Sequence, residues 1–140
     1  MNTTTATTAQ PSRGLHLGLW IVQVLLAFAF GAAGLMKSTT PIAELGQKLP
    51  WVLELPNLAR FIGVSELAGA LGLVLPSATR IQPKLTGIAA AALVLVMVLG
   101  AGFHAMKGEY AALPVNVVLG ALAGFVAWGR LKAAPIAPKS

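Results

Sequence analysis

Residues 60–76 read RFIGVSELAGALGLVLP, and this stretch places one carboxylic acid, Glu66, in the middle of an apolar segment. The segment runs from Leu58 to Leu75, which is long enough to cross a lipid bilayer as a helix. A carboxylate at that depth is costly unless it is neutralised, paired or hydrated, so ionisable side chains inside membrane spans usually mark functional sites. Glu66 is therefore the first candidate for a functional residue.

The overall composition is that of a membrane protein. Of the 140 residues, 56% are hydrophobic and only 10% are charged, so the chain has too few polar side chains to cover a water-exposed surface. It has no cysteine, which excludes disulfides, thiol redox centres, zinc-thiolate sites and covalently attached haem. The net charge of +6 comes from basic residues in loops and tails, so we expect the lipid bilayer, and not nucleic acid, as the partner.

Four apolar runs predict four membrane-spanning helices. A spanning helix needs about 20 residues, and the first and third runs meet that length comfortably, whereas the other two are near the lower limit. Prolines punctuate the boundaries between the runs, as at Pro56 and Pro83. The predicted spans are residues 15–36, 58–75, 85–106 and 111–128.

These spans predict an all-α fold, an integral membrane four-helix bundle over residues 14–131. We expect residues 1–13 to form a disordered N-terminal tail, because they are rich in threonine and alanine and contain no acid. Residues 132–140 form a basic C-terminal tail. At this length the chain holds one domain and no more.

The distribution of lysine and arginine predicts the orientation, since cytoplasmic loops are enriched in both. With four spans, the two termini and the 76–83 turn share a side, which carries six basic residues against four on the other. Both termini are therefore expected in the cytoplasm. The loop 38–57 then lies outside, where its segment 42–53 either covers the bundle as a lid or lies on the membrane, with Trp51 at the headgroup level.

Four polar side chains lie on the small-residue faces of the predicted helices. Membrane helices pack through small residues, because lipid tails are as apolar as leucine and give no incentive to bury it. Residues three or four positions apart share a helix face, as Glu66 does with Gly63 and Gly69. The residues predicted to point inward on this basis are Gln23, Glu66, His104 and Asn116.

The helix ends predict where these side chains meet. The first and third helices end on the side where the second and fourth begin. At 1.5 Å per residue, Glu66 is roughly 13 Å and Asn116 roughly 7 Å from that surface. Gln23 is nearer the midplane, while Lys37 and Arg60 lie at the rim. The sequence predicts a polar pocket open to the outer face with Glu66 at its floor.

Each of these residues also has a purely structural interpretation. Glu66 could form a clasp with Lys37 or Arg60, and the sequence does not choose between them. His104 lies near a helix end, where interfacial histidines are common. Asn116 could serve only to hydrogen-bond one helix to another.

With these residues placed, the chain resembles the DoxX-like family of small bacterial membrane proteins. Residues 60–76 are similar to the family pattern G-x-x-E-hydrophobic-x-G-x-x-G-L-x-x-P. The resemblance covers about residues 15–131 and implies a multi-pass protein of the bacterial inner membrane. Further matches are Gly34 with Lys37, Met97 with His104, and an asparagine in the fourth helix.

The resemblance also implies a redox role. Relatives in the wider group include the membrane subunit of a thiosulfate:quinone oxidoreductase and a component associated with oxidative-stress defence in mycobacteria. On this hypothesis a quinone enters between the helices, and a redox partner protein supplies the electrons, since no haem, flavin or metal motif is apparent. Glu66 and His104 are then the catalytic candidates, and the ligand-binding candidates are Lys37, Arg60, Asn116 and Gln23.

Two other functions remain open at the level of sequence. The same pocket could bind or transport a small solute or lipid-like molecule, and four short helices would then require a homo-oligomer. Alternatively the protein could be a structural assembly subunit, in which Glu66 locks the bundle through an ion pair.

Overall fold

The computed structural model describes residues 12–140, and within that range the regular structure is entirely helical. This confirms the all-α prediction. A 3₁₀ turn, Tyr110–Ala112, precedes the last long helix, and a π-helical turn, Gly129–Ala133, follows it. The α-helices are α1 Arg13–Thr39, α2 Ile42–Lys48, α3 Trp51–Glu54, α4 Pro56–Thr79, α5 Lys84–Met106 and α6 Leu113–Trp128.

Four of the helical segments are long and apolar enough to cross a membrane, which confirms the predicted four-helix membrane bundle. They are α1, α4, α5 and the continuous segment Tyr110–Ala133, with mean hydropathies of 2.1, 1.7, 2.3 and 1.8. Most of the predicted N-terminal tail lies outside the described residues. Ser12 caps α1, because its Oγ accepts a hydrogen bond from the Leu15 amide at 3.0 Å.

The four long helices form a closed ring in which α1 packs on α4, α4 on α5 and α5 on α6, with a smaller contact between α6 and α1. The core between them is apolar and includes Leu26, Phe30, Leu73 and Leu93. Large apolar side chains also cover the outside of the bundle; Phe28, for example, is 75% exposed. An apolar exterior is what a lipid environment requires.

Two glycines set the distance between α1 and α4. A Cβ atom on Gly34 would lie 2.7 Å from the Gly63 carbonyl oxygen and 2.8 Å from the Leu67 amide nitrogen. A Cβ atom on Gly63 would in turn lie 2.8 Å from the Cβ of Lys37. The two backbones therefore touch at this crossing, and only glycine at both positions permits it.

The crossing lies at the end of the bundle where α1 and α5 end and α4 and α6 begin, which we name the pocket end. The opposite end, which carries the start of α1 and the turn between α4 and α5, is named the tail end. The helices α2 and α3 cover the pocket end. Their buried residues Leu45 and Val52 form a small apolar cluster with Ala59 of α4.

These short helices form a cap on the bundle, which is the first of the two arrangements considered for segment 42–53. Trp51 is only 6% exposed within the protein, and its position at the headgroup level stays a prediction. Its ring packs edge-to-face on Phe103 of α5, with centroids 5.5 Å apart. An ion pair between Lys107 Nζ and Glu54 Oε2, at 2.8 Å, joins the cap to the end of α5.

Candidate functional site

Glu66 is buried on α4 and paired with a lysine from α1. Its side chain is 3% exposed, and Lys37 Nζ donates to Oε1 at 3.0 Å and to Oε2 at 3.1 Å. Lys37 can reach this position because Gly34 and Gly63 bring the two helices into backbone contact. Of the two partners left open by the sequence, the structure selects Lys37, so the buried carboxylate is neutralised by a basic side chain from the neighbouring helix.

A cavity of about 300 Å³ lies beside this ion pair. Four of the six predicted site residues line it, and the wall is otherwise largely apolar, with Trp51 and Phe103 contributing aromatic rings. This volume is at the lower end of the range for small-molecule sites, which are typically apolar with a few placed polar groups. The four residues are Lys37, Glu66, His104 and Asn116.

His104 lies in this wall near the end of α5 and is oriented by a second acid. Its Nδ1 is 3.1 Å from Glu109 Oε2. A carboxylate can only accept, so Nδ1 carries the proton in this contact, and the other ring nitrogen, Nε2, has no hydrogen-bond partner among residues 12–140. His104 is 17% exposed at its side chain, so the ring is accessible without being solvated on all sides.

Asn116 faces α5 from the start of α6. A Cβ atom on Gly100 would lie 3.0 Å from Asn116 Nδ2, so the amide packs directly over that glycine. No hydrogen bond to its side chain occurs in the described part of the chain, although the residue lines the cavity. Asn116 therefore offers both a donor and an acceptor to whatever occupies the cavity.

Arg60 and Gln23 do not join the other four. Arg60 Nη1 donates to the Lys37 carbonyl oxygen at 2.8 Å, so it holds the end of α1 and makes no contact with Glu66. Gln23 is fully buried but lies toward the tail end, where its Nε2 donates to the Leu73 carbonyl oxygen. It also accepts a hydrogen bond at 2.7 Å from Arg130 Nε, a residue not among the predicted site residues.

The sequence predicted neither the burial of Arg130 nor the packing of Trp51 on Phe103. A residue just beyond the last apolar run looks like an interfacial anchor, but the π-helical turn Gly129–Ala133 returns Arg130 to the bundle, where it is 3% exposed. The contact joins Arg130 to Gln23, which lies 107 residues earlier, and no local sequence pattern signals it. For Trp51 the signal was its position between Pro50 and Pro56, in a segment too short to span and apolar enough to be buried.

Comparison with known proteins gives a family match. The family described as the DoxX-like family matches residues 21–126, which is most of the chain and includes all six candidate residues named above. No curated protein and no solved structure matches the chain.

Proposed function

The chain belongs to the DoxX-like family, and from that premise we propose that it binds a quinone-like amphiphile in the cavity beside Glu66, as an accessory subunit of a membrane redox or oxidative-stress system. The observation that carries the proposal is the shared wall of Lys37, Glu66, His104 and Asn116 around a mainly apolar cavity. We place the protein in the bacterial inner membrane with both termini in the cytoplasm. A hydrophobic tail could then leave the cavity toward lipid while the polar head group stays inside.

The polar groups suit a ligand with carbonyl or hydroxyl oxygens on a flat ring. The ammonium group of Lys37 and the amide of Asn116 can donate to a carbonyl oxygen. The aromatic rings of Trp51 and Phe103 give a planar head group a surface to pack against. A strongly charged ligand fits less well, because Lys37 and Glu66 already neutralise each other.

Proton exchange is the chemistry that these residues can contribute. Conversion between a quinone and a quinol transfers two electrons and two protons. We assign the proton transfers to Glu66 and to His104, whose ring nitrogens can donate or accept. The electrons come from a separate redox partner protein, so this chain acts with that partner and is not a complete oxidoreductase.

A structural clasp is the second candidate, and the two-pronged contact of Lys37 with both Glu66 oxygens favours it. A clasp requires the ion pair for folding, but it has no use for an open cavity lined by His104 and Asn116. The two functions therefore make different predictions for a variant that lacks the ion pair but is stable. A ligand site predicts that this variant has lost its ligand, whereas a clasp predicts no ligand in either protein.

Mass spectrometry of co-purifying molecules tests the proposal. Wild type and Glu66→Gln are extracted in a mild detergent, with Glu54→Gln as the matched control, because it makes the same chemical change in the exposed ion pair of the cap. We expect a quinone or another defined small amphiphile with wild type and the control, and its loss from Glu66→Gln. Ordinary phospholipid alone in all three samples, with Glu66→Gln less stable, would leave the clasp as the function.

A further inference from the structure

A second site is indicated at the tail end, where a cleft of about 590 Å³ lies between the α4–α5 turn and residues 135–140. Among the described residues, its floor and walls carry four basic side chains and no acidic side chain. The four are Arg80, Lys84, Arg130 and Lys139.

The cleft has a defined shape because the C-terminal segment is held against the turn. Arg80 Nε donates to the Ala137 carbonyl oxygen at 2.9 Å, and its Nη2 donates to that of Pro138 at 3.2 Å. The Lys139 amide returns a hydrogen bond to the Arg80 carbonyl oxygen at 2.9 Å. Arg80 adopts a left-handed backbone conformation, φ 59°, at the end of α4, which turns the chain toward this segment.

Behind the cleft, Arg130 is a buried cation that has no counter-ion among the described residues 12–140. It is 3% exposed, and its neighbours are neutral: Nε donates to Gln23, and Nη1 donates to His16 Nδ1 and to the Ala134 carbonyl oxygen, both at 3.0 Å. Its Nη2 is buried and has no partner among residues 12–140. The Trp20 ring lies 5.7 Å from the guanidinium carbon and adds a cation–π contact.

The chain itself cannot supply the missing negative side chain. Its four acidic residues are all glutamates, Glu44, Glu54, Glu66 and Glu109, and all four lie at the pocket end. Buried charges are normally paired, since removing an ion from water is expensive. The carboxylate of Ser140 also lines the cleft, but it forms no ion pair in the described structure, and the four basic side chains outnumber it. An external anion at the tail end can supply the missing compensation.

We propose that this cleft binds the phosphate group of an anionic phospholipid. The span α4 ends at Thr79 and the span α5 begins at Lys84. The turn between them, which forms the cleft, is therefore expected at the depth of the lipid headgroups. Basic pockets between membrane helices are suited to phospholipid headgroups. Lys84 and Lys139 are exposed and make no side-chain hydrogen bond in the described structure, which leaves both ammonium groups available to phosphate oxygens.

Native mass spectrometry of the full chain in detergent, titrated with phosphatidylglycerol or phosphatidylcholine, tests this site. The variant Lys84→Gln/Lys139→Gln removes two charges from the cleft. The control Arg13→Gln/Lys132→Gln removes two exposed charges from the same end of the bundle but outside the cleft. We expect the cleft variant to weaken phosphatidylglycerol binding by about tenfold or more, and the control to weaken it by less than about threefold.

A competition experiment distinguishes a phospholipid from a soluble phosphate ester as the ligand. Glycerol 1-phosphate is added as a competitor: no displacement of phosphatidylglycerol at millimolar concentration indicates a lipid site, and displacement indicates that a soluble phosphate ester is sufficient. Equal weakening in both double variants, or equal binding of phosphatidylcholine, would overturn the proposal. Helical circular dichroism of each variant shows that loss of binding is not loss of folding.

Discussion

The two ends of the bundle treat a buried charge in opposite ways. At the pocket end, Glu66 is matched by Lys37, and the pair adds no net charge to the cavity beside it. At the tail end, Arg130 is equally buried, but its hydrogen-bond partners within residues 12–140 are all neutral. A neutral pair in an apolar wall suits an uncharged amphiphile, whereas an unmatched cation beside a basic cleft suits an anion. The difference follows from the location of all four glutamates at one end.

The largest effect is expected from breaking the pair at the pocket end. Glu66→Gln leaves a largely buried ammonium group unmatched, and we expect it to lower the free energy of unfolding by about 3 kcal/mol. In contrast, Lys37→Met/Glu66→Met replaces both charges with apolar side chains and should recover most of that loss. Thermal unfolding in a single detergent measures both.

The same double variant separates stability from binding. We expect the double variant to be folded but to co-purify without the amphiphile. A stable double variant that still retains the ligand would show that the ion pair takes no part in recognition.

A slightly smaller effect is expected from the helix crossing that makes the pair possible. Gly34→Ala places a methyl group against backbone atoms of α4, which cannot move aside as a side chain can, and should cost about 2 kcal/mol. Gly31→Ala is the matched control one turn earlier. Its new Cβ would lie 3.8 Å from the Cβ of Ala70, an ordinary contact, and alanine is the better helix former. Equal unfolding temperatures for the two variants would argue against a tight crossing.

At the tail end, Arg130→Lys tests whether the guanidinium fork is required. Lysine keeps the charge but cannot donate hydrogen bonds to Gln23, His16 and the Ala134 carbonyl oxygen at the same time. We therefore expect the free energy of unfolding to fall by about 1–2 kcal/mol. Arg13→Lys, at an exposed position, should change stability by less than about 0.5 kcal/mol. Anionic phospholipid should raise the unfolding temperature of wild type. If Arg130→Lys is as stable as wild type without added phospholipid, the role given to Arg130 is refuted.

The smallest effect is expected for the exposed ion pair of the cap. Glu54 is 70% exposed, and its contact with Lys107 should be worth no more than about 0.5 kcal/mol. Glu54→Gln should therefore leave the unfolding temperature almost unchanged. A loss as large as that of Glu66→Gln would mean that the cap, and not the buried pair, holds the pocket end together.

The sequence predicted the parts of the fold that depend on local pattern. Apolar runs predicted four helices, and small residues at three- and four-residue spacing predicted that Glu66 and Asn116 face inward. The choice of Lys37 over Arg60 could not be made from the sequence, because it depends on the crossing of two helices. The backbone contact at Gly34 and Gly63 brings Lys37 to Glu66, whereas Arg60 donates to the Lys37 carbonyl oxygen.

The tail end was not predictable in the same way. Arg130 follows the last apolar run, and a cation in that position usually extends into the headgroups. Here the helix continues as a π-helical turn, and the fold places Gln23 and His16 beside the guanidinium, although they lie more than a hundred residues earlier in the chain. Such a contact leaves no local pattern. The separation of acids from the basic end, in contrast, is visible in the sequence as soon as the helices are ordered.

Binding of a short-chain quinone, followed by the fluorescence of Trp51, tests the central proposal most directly. Trp20→Phe/Trp128→Phe leaves Trp51, which lines the cavity, as the only tryptophan. In that background we expect saturable quenching whose Kd rises about tenfold with Glu66→Gln and stays within about twofold with Glu54→Gln. Quenching that never saturates, or that is identical with and without Glu66, would contradict a quinone-like ligand at this site.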